Sequence, residues 1–116
     1  MRRTMIVLAL LAILSPLVAT AKAEAHPHHA LWHWYRASGA RCVHNNEGSW
    51  SDPGYPYWGG FQMSLWFQQR FAPHRLAAKG TADHWKPFRQ VIVVRRVVRR
   101  YGWGQWPNTA RYCGLL

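Results

Sequence analysis

Cys42 and Cys113 are the only two cysteines in this 116-residue chain. What precedes them reads as an export signal over residues 1–25. Arg2 and Arg3 form a positive start, and Met5 to Leu14 is an unbroken apolar run. That run is too short to span a bilayer as a helix. Ser15-Pro16 breaks it, and small residues then offer cleavage sites ending at Ala21, Ala23 or Ala25. No cysteine follows directly, so a lipid anchor is not expected, and no second apolar run is long enough to span. The expected product is secreted, extracellular or wall-associated, with no membrane anchor after cleavage. In an oxidising compartment two cysteines have one intramolecular pairing open to them. About ninety residues remain, a size at which a small core is helped by a covalent staple. The loop these cysteines close is long, and chain entropy assigns it about 4 kcal/mol.

Charge narrows the chemistry. Without residues 1–25, twelve Lys/Arg face only Glu47, Asp52 and Asp83, a net charge of +9. So basic an exported domain is drawn to polyanions. Any catalytic carboxylate must be one of these three acids or the C-terminus.

Glu47 has the most suggestive setting. The stretch Cys42 to Met63 reads C-V-H-N-N-E-G-S-W-S-D-P-G-Y-P-Y-W-G-G-F-Q-M. It surrounds Glu47 with Trp50, Tyr55, Tyr57, Trp58 and the Gly59-Gly60 pair. An acid in an apolar pocket keeps its proton to a higher pH and can donate it to a glycosidic oxygen. Aromatic rings offer flat faces to sugars, and glycines let a bulky polymer approach. The residues expected to bind substrate are Gln62, Tyr57, Trp50, Trp58 and Asp52. Asp52 is read first as a turn residue in Ser51-Asp52-Pro53-Gly54, with a second catalytic carboxylate as its alternative.

Three pieces carry a resemblance: C-V-H-N-N-E-G-S-W, then Y-W-G-G-F-Q-M-S, then G-W-G-Q-W-P-N-T-A-R-Y-C-G-L-L. In this order they resemble the transglycosylase-like domain of the resuscitation-promoting factors, a lysozyme-like family of secreted actinobacterial proteins. The resemblance covers residues 38–116. It implies a small, mainly helical α+β domain with a short irregular β element and one disulfide. It also implies cleavage of the β-1,4 bond between N-acetylmuramic acid and N-acetylglucosamine, with Glu47 as general acid and base. Gln62 falls at the glutamine of the family's Y-x-G-G-x-Q motif. Water as acceptor gives hydrolysis, and the sugar's own 6-hydroxyl gives a 1,6-anhydro product; both stay open. So do two other classes: a catalytically weak wall-binding or signalling protein, and a basic antimicrobial or polyanion-binding protein.

The remaining chain divides by punctuation. His26, His28, His29 and His33 mark a segment, residues 26–37, read as a solvated N-terminus with weak helical character rather than a metal site. Residues 40–46 suit a short helix that delivers Glu47 at its end. A small β element is expected within residues 50–61. Ser64 caps a helix to Phe71, and residues 75–78 suit a further turn. Pro87 to Tyr101 is the longest periodic element, between a proline suited to a helix start and Gly102 just past its end. Its expected inner stripe is Val91, Val94, Val98 and Tyr101, although Val91 to Val94 alone would also suit a buried strand. The family's relatives carry acidic and alanine-rich residues here. This chain instead has Arg95, Arg96, Arg99 and Arg100, a face suited to solvent or to anionic wall polymers. No Walker loop, dinucleotide fingerprint, zinc-ligand spacing, serine elbow or nucleic-acid motif occurs. No cofactor, metal or specific nucleic acid is expected.

Overall fold

The computed structural model describes residues 27–116; the export segment and His26 lie outside the described residues. Six helices and one short sheet follow in the order α1 (Pro27–Ala37), α2 (Ala40–Glu47), β1 (Tyr57–Trp58), β2 (Met63–Ser64), α3 (Leu65–Phe71), α4 (Pro73–Lys79), α5 (Pro87–Tyr101) and α6 (Pro107–Tyr112). The class is the expected one: mainly helical α+β, with a two-stranded antiparallel sheet and one disulfide.

α5 forms where the punctuation placed it. Pro87 occupies the first turn, and Gly102, at φ 74°, turns the chain out while its N–H donates to the Val98 carbonyl. Its buried face differs from the expected stripe. Gln90, Val91, Val93, Val94 and Val97 are buried, whereas Val98 is half-buried and Tyr101 is 53% exposed. α1 packs on α5, and residues 50–60 hydrogen-bond to Gln90, so the buried arc is wider than one stripe. The last turn carries only exposed or half-buried side chains.

The histidine-rich segment is helical and built into the domain. Leu31 and Tyr35, one turn apart, are buried, while His29 and His33 face solvent. α1 also packs on α2, so the boundary expected at residue 37 falls between two packed helices. The weak helical character expected here is a full helix, and its apolar residues Leu31 and Tyr35 join the core instead of a solvated N-terminus.

α2 buries Ala40 and Val43 and lies against α6. The Cys42–Cys113 disulfide joins the two, with Cα atoms 5.9 Å apart. Such a bond belongs to an oxidising environment. Among the described residues no helix is long and apolar enough to cross a membrane.

The β element sits further along than expected. Tyr57 pairs with Ser64 and Trp58 with Met63, so the second strand lies beyond residue 61. The reversal runs through Gly59 at φ 75° and Gln62 at φ 47°. A glutamine in the left-handed region gives no turn signal in sequence.

Two fully buried glutamines hold the loops to the helices. Gln68 donates to the Met63 carbonyl and accepts from the Ala82 N–H. The Gln90 amide nitrogen lies 2.8–3.0 Å from the carbonyls of Trp50, Ala82 and Trp85, and its oxygen accepts from Gly60 N–H at 2.8 Å. A Cβ at Gly59 would stand 2.6 Å from that oxygen, so only glycine fits there.

Candidate active site

α2 ends on Glu47, and the chain leaves it through the extended Gly48. The carboxyl group lines a cleft of about 300 Å³. One wall is Tyr57 and Gln62 from the β element; the other is Gln105 to Thr109, at the start of α6. The disulfide fixes α6 against α2, and Trp106 Nε1–H donates to the Phe61 carbonyl at 2.7 Å, tying α6 to the β turn.

Glu47 is half-buried, and it is the one carboxylate in the cleft lining. The Thr109 hydroxyl donates to its Oε1 at 2.5 Å. Burial holds its pKa above the ordinary carboxylate range, and the Thr109 hydrogen bond opposes that rise. The direction and its cause, burial, match the expectation; of the rings expected around Glu47, Tyr57 lines the cleft and Trp50 and Trp58 do not.

Trp50 is corrected from a sugar platform to a packing residue. Its ring lies 3.6 Å from His44, centre to centre, and also borders Phe61. His44 is itself buried enough to lower its pKa, and its Nδ1 bonds the Tyr35 hydroxyl at 2.7 Å. Trp58 is half-buried, edge-on to Tyr55. Tyr57 does line the cleft and is 49% exposed, a ring available to a ligand.

Asp52 is outside the cleft lining and is occupied on both oxygens. Oδ1 accepts from Gly54 N–H at 3.0 Å, the expected turn. Oδ2 accepts from Gln62 Nε2 at 2.9 Å. The other Gln62 amide hydrogen goes to the Gly59 carbonyl at 3.0 Å. A carboxylate and a carbonyl can only accept, so the amide orientation is fixed and Gln62 Oε1 is left as an acceptor. Gln62 also holds the strained φ of 47°, with its side chain anchored twice.

Glu47, Tyr57 and Gln62 are therefore brought together, while Asp52 meets the cleft only through its hydrogen bond with Gln62. Gln105, Asn108 and Thr109 were given no role from the sequence; they fall within the third resemblance piece, and the pairing of Cys113 with Cys42 brings that piece to Glu47. Among the described residues no group of three or more His, Cys, Asp or Glu is placed to hold a metal ion. No family model and no curated protein matches the chain.

Proposed function

We propose that this chain is a secreted peptidoglycan-cleaving glycosidase, a muramidase or lytic transglycosylase, with Glu47 as its single acid and base. The observation that carries the reading is the half-buried Glu47 carboxyl, alone in its cleft and held by Thr109. The sequence resemblance supplies the substrate.

Thr109 engages Oε1, which leaves Oε2 to carry the proton. That proton passes to the bridging oxygen as the C1–O bond of N-acetylmuramic acid breaks, and Glu47 becomes a carboxylate. With Asp52 engaged elsewhere, the sugar's own 2-acetamido oxygen closes on C1 and shares the developing positive charge. Water or the 6-hydroxyl then attacks C1, displaces the acetamido oxygen and returns a proton to Glu47. The first acceptor leaves a reducing end, the second a 1,6-anhydro end. Gln62 Oε1 accepts a hydrogen bond from the acetamido N–H, and Tyr57 offers its ring to the sugar face.

Mass spectrometry of purified peptidoglycan after incubation tests this. The expected result is new disaccharide muropeptides with reducing or 1,6-anhydro muramic ends. Glycan strands of unchanged length would overturn it.

A further inference from the structure

The C-terminal half of α5 carries Arg95, Arg96, Arg99 and Arg100, which together with Ile92 border an open surface depression of about 400 Å³. A groove of about 230 Å³ lies between Arg70, Phe71, Val97 and Tyr101. Arg96 and Arg100 border both, so the two form one track. No residue of the Glu47 cleft lines it.

The track is an unbalanced charge. Glu47 is bonded to Thr109, Asp52 to Gly54 and Gln62, and Asp83 to Thr81 and His84. Among the described residues the one ion pair is His84–Asp83, so none of the track arginines is neutralised by a carboxylate. Arg95 and Arg99 stand one turn apart, and the guanidinium of Arg95 is destabilised by burial and by its neighbour. Like charges at that spacing repel, and an anion seated between them removes the repulsion. At one end aromatic rings take over. Tyr101 is 53% and Trp66 60% exposed, and both border the Phe71 ring, at 5.7 and 6.0 Å.

We propose that this track is a binding site for a phosphodiester-linked polyol or sugar polymer. Guanidinium forks match phosphate oxygens two at a time. Successive turns of the helix repeat the fork about every 6 Å, which suits a strand bearing regular phosphates rather than one small anion. The part of the track between α3 and α5 is a groove with a wall on either side, whereas a bilayer is flat and meets ridges. Its aromatics lie at one end instead of along the groove, unlike the successive stacking platforms of single-stranded nucleic-acid sites.

The test measures binding of lipid-free poly(glycerol phosphate) by calorimetry across a salt series. Wild type is expected to bind at low salt, with affinity falling as salt rises, because counterions released from the polymer gain less entropy in a more concentrated solution. Replacing Arg95, Arg96, Arg99 and Arg100 together by Gln should weaken binding at least tenfold while muropeptide release from teichoic-acid-free peptidoglycan persists. Arg96→Gln/Arg100→Gln alone, at the shared border of the depression and the groove, should give a severalfold loss and decides the matter if the fourfold variant does not fold. Unchanged affinity in these variants overturns the proposal. So does equal or tighter binding of anionic vesicles, an oligonucleotide or polyglutamate at matched charge.

Discussion

The Thr109 hydroxyl reaches Oε1 of Glu47 at 2.5 Å across 62 positions of sequence. It favours the ionised carboxylate, while burial favours the protonated acid, and burial is the larger effect. Thr109→Val keeps the shape and removes the opposing bond. Glu47 should then hold its proton to still higher pH, and the alkaline limb of kcat/KM for muropeptide release should move up. An unmoved limb would show that Thr109 does not tune the acid.

The same shift has a consequence for stability. The folded state holds the Glu47 proton at pH values where the unfolded chain has released it. Stability from this group is therefore greatest below the ordinary carboxylate pKa and falls as pH rises through the raised value. Glu47→Gln removes that decline. Thermal melts at pH 4 and pH 7 should show the variant losing less between the two than wild type, and melting at least as high at pH 7. A variant that melts lower at pH 7 would contradict this.

Gln90 offers the sharpest test of the scaffold. Its amide serves three carbonyls and the Gly60 N–H with no access to solvent. Gln90→Leu leaves the Trp50 and Trp85 carbonyls and the Gly60 N–H without this partner, while the Ala82 carbonyl keeps the Trp85 N–H. Each buried orphan costs about 1–3 kcal/mol, so a loss of about 3 kcal/mol or more is expected. In a domain this small that lowers Tm by roughly 10 °C or more. A melt within a few degrees of wild type would show that the amide is dispensable.

Asp52→Asn separates positioning from catalysis. Asn retains the acceptor for Gly54, but its amide faces the Gln62 amide, donor to donor. Gln62 loses an anchor, so KM should rise severalfold while kcat stays within about tenfold, less than general acid catalysis is commonly worth. A fall in kcat as deep as that caused by Glu47→Gln would make Asp52 a catalytic partner.

What the sequence revealed follows from what each element depends on. α5 was legible because Pro87 and Gly102 mark its ends, and α3 because Ser64 caps it by accepting from the Phe67 N–H. The short helix over residues 40–46 was legible too, and with it Glu47 at its end, although Gly48 leaves that end extended and not in a left-handed cap. The β register was not, because it turns on the positive φ of Gln62, imposed by Asp52 and Gly59. α6 has six residues and no apolar period; it is held by Cys113, Trp106 and Thr109, all tertiary contacts. Trp50 and Trp58 looked like platforms because sequence shows an aromatic ring but not the direction it faces.

Muropeptide release by Glu47→Gln beside wild type, with melts of both, tests Glu47 as the acid. Gln preserves the shape and the oxygen that accepts from Thr109, but it has no proton to give. Release should fall by about 10²–10⁴-fold in a variant that still folds, since that is the usual worth of general acid catalysis. A folded variant releasing the same products at the wild-type rate would show that Glu47 is not the acid.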